Sequence, residues 1–354
     1  MNVYDHPLYR EDIRAIASLE LPWNKLENAT MMLSGATGLI GSCLVDVLMH
    51  LNEQGLHCKI YGIGRNRDKA TERFAYCRDS DLFTFCQQDI AAPLVLNGPD
   101  RVDYVLHLAS NTHPLQYAAD PIGTITTNVF GTYQLLEFAA AHQAKRCAIA
   151  SSNEIYGENR GDLEFFDESY CGYIDSNTLR AGYPESKRCS EALCQAYIKQ
   201  KELDIVIPRL TRSYGPTMQM SDTKAISQFI KKGLGQENIV LKSAGTQYYS
   251  YTYAADAVAG LLTVLLCGTC GEAYNIADEA SDIMLKDLAQ SIANYVGTKV
   301  VFELPDAAEA TGYSKATKAR LDGAKLKSLG WKPRFEIDAG IRRTLSILQS
   351  CRQG

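Results

Sequence analysis

A short turn with three evenly spaced glycines constrains the fold of this chain more than any other feature. An apolar run that begins at Thr30 leads directly into SGATGLIGS (34–42), where Gly35, Gly38 and Gly41 precede an amphipathic segment. Glycines at this spacing permit a tight strand-to-helix turn and a close approach of other groups to the backbone. The turn therefore predicts the start of a βαβ unit; the alternative is a turn with a structural role alone.

Apolar, β-rich runs alternate with segments of helical periodicity over the first two thirds of the chain. The helical candidates include segments that begin at Leu39 and Asn128. This alternation predicts a parallel sheet covered on both faces, in which strands are almost continuously apolar. We therefore expect an α/β fold with a Rossmann-type doubly wound sheet. The runs are TMMLSG (30–35), CKIYGIG (58–64), FTFCQQDI (83–90), VDYVLHLAS (102–110), RCAIASS (146–152) and DIVIPRL (204–210).

The pattern predicts three parts of the chain. Residues 1–28 form a helical extension, and residues 29–207 form a dinucleotide-binding Rossmann domain. After Pro208 the pattern loosens, which predicts a smaller, mixed α/β substrate-binding lobe over 208–354, interleaved with the first domain. In this lobe we expect helices over 221–234 and 285–297 and short strands over 237–243 and 273–279.

Composition and charge exclude several classes of protein. The 354 residues carry a net charge of −5 with scattered lysines and arginines, which is untypical of a nucleic-acid-binding protein. No apolar segment is long enough for a signal peptide or a membrane span, so we expect a cytoplasmic protein without membrane contact. The eleven cysteines are dispersed, and the pair Cys267 and Cys270 has no second pair, so no metal site is expected.

The glycine turn also predicts a cofactor, because dinucleotide phosphates bind over the N-terminus of such a helix. The second strand ends in YGIGRNRDKA (61–70), with Arg65 and no carboxylate at its tip. A basic residue there suits the 2′-phosphate of NADP and an acidic one the ribose of NAD. NADP is therefore favoured slightly over NAD, unless Arg65 is a solvated loop residue. Asp89 and Ile90, after the third strand, are expected to hold the adenine. The turn contributes Gly35, Thr37, Gly38, Leu39, Ile40 and Gly41 to the cofactor site.

The segment YPESK (183–187) predicts a general base. Residues four apart share one face of a helix, so the ammonium of Lys187 can lie near the phenol of Tyr183. A nearby cation favours phenolate, and we expect it to lower the pKa of Tyr183 towards the working pH. Such a base suits the removal of a proton from a sugar hydroxyl.

Together these motifs resemble those of the extended short-chain dehydrogenase/reductases, in the NAD(P)-dependent nucleotide-sugar epimerase/dehydratase family. The resemblance covers nearly all of the chain from Met31 onward, and HLAS (107–110) with YGPTMQMSD (214–222) is most similar to the UDP-glucuronate decarboxylases. It implies a bound NAD(P), a nucleotide-sugar substrate in the C-terminal lobe and a homodimer formed by helices around 125–142 and 183–200. The other matching motifs are GATGLIG (35–41), PIGTITTNVFGTYQLLE (121–137), EIYG (154–157), YPESK (183–187), SYGPTM (213–218) and LGW (329–331).

The resemblance also implies roles for single residues. Ser152 matches the catalytic Ser/Thr, Tyr183 the base and Lys187 its partner, while Glu154 matches a carboxylate of dehydratases and decarboxylases. The alternative for Glu154 is a helix cap or a loop residue. The implied first step is oxidation of the sugar at C4, after which the 4-keto sugar is decarboxylated, epimerised or dehydrated. The further cofactor residues are Leu108, Ala109, Ser110, Asn128, Tyr183, Lys187 and Arg212, and the substrate residues are Ser110, Thr112, Ser152, Asn153, Glu154, Arg212 and Tyr249.

Three positions depart from the family pattern. Asn153 stands where many 4,6-dehydratases have an aspartic acid, and an amide is not a proton donor of that kind. Tyr249 stands where an arginine is usual, and Arg212 stands where an asparagine is usual. We hypothesise that the charge has moved to Arg212, which then holds an anionic group of the substrate; the alternative is a surface ion pair.

Three functions remain open on these grounds. UDP-glucuronate decarboxylation is the best single expectation, with 4-epimerisation or 4,6-dehydration as alternatives. A net NADPH-dependent ketoreductase is a second class, favoured by the arginines after the second strand. A non-catalytic dinucleotide sensor is a third, against which the set of Ser152, Tyr183 and Lys187 argues.

Overall fold

A seven-stranded parallel sheet lies at the centre of the computed structural model, which describes residues 2–96, 99, 101–112, 119–303 and 317–353. The spatial order β3-β2-β1-β4-β5-β7-β11 reverses between β1 and β4, as in a doubly wound fold. A two-residue strand, β6 (Ser151–Ser152), follows β5 and pairs with β7. The predicted fold class is confirmed. The seven strands are β1 (Thr30–Ser34), β2 (Lys59–Gly64), β3 (Phe83–Gln87), β4 (Tyr104–His107), β5 (Arg146–Ile149), β7 (Ile205–Leu210) and β11 (Ala273–Ile276).

Apolar side chains on both faces explain why the strands read as continuous apolar runs. In β1, Met31 and Leu33 join one buried cluster, whereas Met32 between them joins the other. Side chains of a strand alternate between faces, so each face needs its own helical cover. The helices α2 (Leu39–Glu53) and α7 (Ala254–Cys267) cover the first face, and α4 (Pro121–Ala141) and α5 (Gly182–Lys201) cover the second.

The remaining elements form two small sheets with helices around them. In one sheet β10 pairs with β8 and β14 in parallel and with β12 in antiparallel orientation, and in the other β9 pairs with β13. The central sheet extends beyond the 30–210 stretch that predicted its strands, because β11 pairs with β7. These elements are β8 (Arg212–Tyr214), β9 (Ile239–Leu241), β10 (Tyr248–Tyr253), β12 (Asp282–Met284), β13 (Val300–Phe302), β14 (Lys318–Ala319), α3 (Arg67–Arg73), α6 (Ala225–Leu234), α8 (Leu285–Val296), α9 (Ala324–Ser328) and α10 (Ile337–Gln353).

Buried ionic contacts hold the N-terminal helix α1 (Pro7–Ala17) in place. The hydroxyl of Tyr9 donates to Asp46 of α2 at 2.6 Å, and Tyr253 donates to Asp12 at 2.7 Å. Asp12 also forms an ion pair with Arg343 of α10 at 2.9 Å. The N-terminal extension thus contacts α2, which follows the first strand, and also β10 and α10 near the C-terminus. Among the described residues, no helix has the length and apolarity needed to cross a membrane.

Candidate functional site

The carboxyl ends of neighbouring strands bring the predicted site residues to one edge of the sheet. Gly35 follows β1, Ser110 lies beyond the end of β4, and Ser152 closes β6 after β5. The helices after β1 and β4 lie on opposite faces, so a crevice opens between these two strands. In doubly wound folds this crevice is where ligands bind.

The glycine turn has the geometry that a dinucleotide requires. Gly35 has a φ of 74°, and a Cβ added there would lie 2.7 Å from the backbone N of Ala109. A Cβ on Gly41 would overlap the carbonyl oxygen of Gly35. Gly38 is the N-cap of α2 and provides no capping side chain. The positive end of the helix dipole therefore meets a smooth backbone surface, which fits a pyrophosphate.

A cavity of about 560 Å³ lies beside this turn, at the end of β2. Burial lowers the pKa of Lys69, while the guanidinium of Arg73 is neutralised by Asp46. Arg65 is exposed at the rim, so Arg65 and Lys69 supply the positive charge. Of the three basic residues Arg65, Lys69 and Arg73, only Arg65 was a predicted cofactor residue. The lining residues are Thr37, Ser42, Arg65, Asn66, Lys69, Arg73, Thr217, Met218, Gln219, Met220 and Ser221.

A segment after β8 lies against the glycine turn. The hydroxyl of Thr217 donates to the carbonyl of Leu39 at 2.8 Å, and the amide of Gln219 donates to the carbonyl of Thr37 at 3.3 Å. On the far side, Ile90 is buried, and Asp89 accepts a hydrogen bond from the N–H of Ala91 at 3.0 Å. Leu39 and Ile40 begin α2, so the predicted residues of the turn line one end of the crevice.

Lys187, one helical turn after the predicted base Tyr183, is held in place by a hydrogen bond to the backbone. Its Nζ donates to the carbonyl oxygen of Ala150 at 2.9 Å, which ties α5 to the end of β5. Burial lowers the pKa of Lys187 to about 8. Burial therefore destabilises the charged form of Lys187, which releases its proton more readily than an exposed lysine does.

Tyr183 lies buried among hydroxyl groups at the same edge. Burial raises its pKa to about 12, and the negative charge of Glu154 adds to the rise. Hydrogen bonds from Ser152 and Ser110 lower the pKa again. The expected lowering of this pKa by the ammonium of Lys187 is not seen, because desolvation of the phenolate is the largest effect on Tyr183 and raises its pKa.

Asn128 connects the hydroxyl cluster to α5. Its Oδ1 accepts from Ser110 at 2.7 Å, and its Nδ2 donates to Ser186 at 2.8 Å. Asn128 is fully buried, so these bonds fix the Ser110 side chain. Leu108 and Ala109 precede it, with the N–H of Ala109 bonded to Ser34 at 3.3 Å.

Glu154 forms an ion pair with Arg180 that the sequence did not indicate. Its two carboxylate oxygens each lie 2.9 Å from a guanidinium nitrogen of Arg180. Ser152 accepts a hydrogen bond from the N–H of Glu154 at 3.2 Å, and Asn153 is buried in the same turn. Glu154 is thus next to the phenol of Tyr183, but its charge is balanced.

Arg212 and Tyr249 are brought together, as are Thr112 and a lysine. The guanidinium of Arg212 lies 3.6 Å from the centroid of the Tyr249 ring. Its Nη1 is buried and has no hydrogen-bond partner among the described residues. Nζ of Lys224 donates to the hydroxyl of Thr112 at 3.3 Å. Lys224 was missed because it lies 112 positions from Thr112 along the chain.

No metal centre is evident in the part of the chain that the structure describes. There, no three His, Cys, Asp or Glu side chains are grouped closely enough to hold an ion. Cys267 is half-buried and Cys270 is exposed, and both are free thiols.

Comparison with known proteins agrees with this geometry. A crystal structure of the dTDP-glucose 4,6-dehydratase DesIV from Streptomyces venezuelae, with NAD bound, has a TM-score of 0.76 at 23% identity and covers 92% of this chain and 98% of its own. The UDP-glucuronic acid 4-epimerase from Bacillus cereus, in complex with UDP-glucuronic acid and NAD, has a TM-score of 0.75 at 22% identity, covering 91% and 99%. At these identities the likeness shows the fold.

Sequence relatives show the family. UDP-glucuronic acid decarboxylase 1 of Xenopus tropicalis is 29% identical over 315 residues, which cover 89% of this chain and 71% of the relative. UDP-glucuronic acid decarboxylase 6 of Arabidopsis thaliana is 30% identical over 319 residues, covering 89% and 87%. The model of the NAD dependent epimerase/dehydratase family matches residues 31–277. The chain is therefore an enzyme of the NAD dependent epimerase/dehydratase family.

Proposed function

We propose that this enzyme oxidises a nucleotide sugar at C4 and then alters the 4-keto sugar, with decarboxylation of UDP-glucuronate as the best single candidate. The observation that carries the proposal is the cluster of the buried Tyr183 and Ser152 hydroxyls with the half-buried Ser110 hydroxyl beside the glycine turn. A cluster of this kind suits the exchange of a proton with a sugar hydroxyl. The choice of decarboxylation is supported by the curated relatives, which are UDP-glucuronic acid decarboxylases.

Each residue of the cluster has a role in this proposal. Tyr183 takes the proton of the C4 hydroxyl, and Ser152 donates a hydrogen bond to the same oxygen as it becomes a carbonyl. A nicotinamide dinucleotide held at the glycine turn by Gly35, Gly38 and Gly41 would supply the acceptor for the C4 hydrogen, as hydride, and the source for its return. The 4-keto group then stabilises, as an enolate, the electron pair that remains when the C5–C6 bond breaks and CO₂ leaves, and a proton from solvent takes the place of CO₂ at C5 before the hydride returns to C4. Glu154 lies beside Tyr183, where it can orient the group that is lost.

Asn153 argues against the 4,6-dehydratase alternative, because its amide is not a general acid for the departing hydroxyl. Glu154 argues against simple 4-epimerisation, which needs no carboxylate at that place. A net NADPH-dependent ketoreductase remains the alternative of a different class, supported by Arg65 and Lys69 beside the cofactor crevice.

The products formed from a nucleotide-sugar panel test the proposal. Purified enzyme is incubated with UDP-glucuronate, UDP-glucose and dTDP-glucose, and NMR follows the sugars while absorbance at 340 nm follows the cofactor. We expect UDP-glucuronate to lose CO₂ and yield a UDP-pentose with no net change at 340 nm. Continuous consumption of added NADPH with a reduced product would instead support the ketoreductase.

Arg212 supports an anion site in the substrate lobe. Stacking on Tyr249 holds its guanidinium, while the buried Nη1 lacks a partner among the described residues. A phosphate or carboxylate oxygen of the substrate would satisfy this donor. We expect Arg212→Ala to raise KM by about tenfold or more, since a charge-assisted hydrogen bond is lost. Arg160→Ala, at an exposed arginine paired with Asp162, is the control. An unchanged KM in Arg212→Ala would refute the assignment.

NADP is the cofactor that the charges around β2 favour. Arg65 and Lys69 lie at the cavity beside the glycine turn, where a 2′-phosphate would be held. We expect Arg65→Ala to weaken NADP binding by about tenfold and to leave NAD binding almost unchanged, because NAD lacks that phosphate. Calorimetric titration of both cofactors measures the ratio. Equal affinities in the parent enzyme, or equal losses in the variant, would point to NAD.

We also infer a homodimer formed by α4 and α5. The support is a set of exposed apolar side chains on α4, with Ile122 75% and Phe130 54% exposed. Ile125 and Tyr133 lie on the same helix and are also exposed. A stripe of this size is typical of a surface that a second molecule covers.

A further inference from the structure

The ion pair between Glu154 and Arg180 joins two short 3₁₀ helices at the mouth of the site. Glu154 lies in Asn153–Tyr156, and Arg180 lies in Leu179–Ala181, which leads directly into α5. Both contacts between the guanidinium and the carboxylate measure 2.9 Å. The side chain of Glu154 is 23% exposed and that of Arg180 is 39% exposed, so the pair is partly open to solvent. The hydrogen bond from Nη2 of Arg180 to Oε1 of Glu154 fixes the two groups relative to each other.

The pair stands beside the reacting centre rather than at a remote surface. Both charges act on the phenol of Tyr183, where Glu154 raises the pKa and Arg180 lowers it. Arg180 lies three positions before Tyr183 in the chain, so the same turn that delivers the base delivers the cation. The two charges offset each other at the place where the sugar reacts.

Without a neighbouring positive charge, the carboxylate of Glu154 would repel a substrate whose sugar carries a carboxylate. Like charges placed close together in a poorly hydrated crevice are strongly unfavourable. A nucleotide sugar acid bears such a carboxylate at C6, whereas the matching hexose has a neutral hydroxymethyl group there. Neutralisation of Glu154 therefore matters for the sugar acid and hardly for the hexose.

We propose that Arg180 is a positioning residue that neutralises Glu154 and thereby admits a nucleotide sugar acid. This inference rests on the proposed function, because it concerns the sugar held beside Tyr183. Arg180 would thus help to determine which sugar binds, although it lies outside the glycine turn, the YPESK segment and β8, which contains Arg212.

Binding of two ligands that differ only at C6 tests the proposal. Calorimetry measures the affinity of the full-length enzyme, with cofactor present, for UDP-glucuronate and for UDP-glucose. We expect Arg180→Gln to weaken UDP-glucuronate binding by about tenfold or more and UDP-glucose binding by less than about threefold. Arg180→Lys keeps the charge and should retain most of the affinity for UDP-glucuronate. Arg160→Gln, which breaks an exposed Arg–Asp pair in the same segment, should change neither affinity.

A double variant separates neutralisation from a structural role. In Glu154→Gln/Arg180→Gln both charges are gone, so UDP-glucuronate binding should recover towards that of the parent. Recovery is not expected if Arg180 only maintains the loop, or if it binds the substrate carboxylate itself. Absence of recovery would therefore overturn the proposal, as would equal losses for both ligands in Arg180→Gln.

The parent enzyme distinguishes this inference from the proposed function. Binding of UDP-glucose without binding of UDP-glucuronate would overturn the inference and the choice of UDP-glucuronate as substrate, but not the proposed oxidation of a nucleotide sugar at C4. If neither ligand binds, nor any other member of the nucleotide-sugar panel, the proposed function fails and the inference fails with it.

Discussion

Tyr183→Phe should reduce kcat by about 1,000-fold or more while the variant stays folded and binds its cofactor. The change removes one hydroxyl from a fully buried side chain and leaves the ring to fill the same space. Without that oxygen, no group receives the proton of the sugar hydroxyl, and a positioned acid–base group typically contributes about 100- to 10,000-fold. The measurement is kcat with the nucleotide sugar identified by the panel, together with the Kd of the cofactor.

Tyr197→Phe is the matched control for this variant. Tyr197 lies on the same helix, α5. Its hydroxyl donates a hydrogen bond of 2.5 Å to Glu137, and this pair lies away from the crevice. Removal of this hydroxyl should change kcat by less than about threefold, since the buried ring keeps its packing and the hydroxyl contacts no residue of the candidate site. Normal turnover by Tyr183→Phe on the correct substrate would remove Tyr183 from the mechanism.

Gly41→Ala should weaken cofactor binding by about 100-fold or more. The added methyl group would overlap the carbonyl oxygen of Gly35, and backbone atoms have little freedom to yield. Either the turn opens or α2 moves away from it, and both distort the surface on which the pyrophosphate would rest. Fluorescence or calorimetric titration with NAD(H) and NADP(H) measures the loss, which follows from a strain of a few kcal/mol.

Gly55→Ala controls for the general cost of changing a glycine near α2. Gly55 lies just past the other end of that helix, has a φ of 95° and has nothing within 4 Å of an added Cβ. This substitution carries a backbone strain of about 1 kcal/mol but leaves the glycine turn untouched. Cofactor affinity within about threefold of the parent in Gly41→Ala would contradict the role given to the turn.

The central sheet was predictable because its signals are local. Each of the six runs contains a strand of the sheet, since a strand buried on both faces must be apolar along its length. The seventh strand, Ala273–Ile276, was predicted as a strand but not as a member of this sheet. Its pairing with β7 depends on how the chain returns from the small sheets to the central one, and no local pattern encodes that return.

The candidate site was predictable in its motifs and not in its electrostatics. The structure gathers Ser152, Tyr183 and Lys187 at one edge of the sheet, as a resemblance carried by short motifs implies. No local pattern indicated the pair between Glu154 and Arg180, which are 26 positions apart. The balance of burial and charge at Tyr183 likewise depends on packing. Because of that packing, the pKa of Tyr183 is raised, whereas the sequence predicted that it is lowered.

The fate of a deuterium atom at C4 of the sugar tests the central claim most directly. Enzyme with bound cofactor is given UDP-glucuronate deuterated at C4, and mass spectrometry and NMR locate the label after turnover. We predict that the deuterium is retained in the sugar product with no net change at 340 nm, because the hydrogen removed at C4 is returned within the same cycle. Release of the label to free reduced cofactor would contradict the proposal, and so would unchanged turnover by enzyme stripped of its cofactor, because the hydrogen at C4 would then have no acceptor.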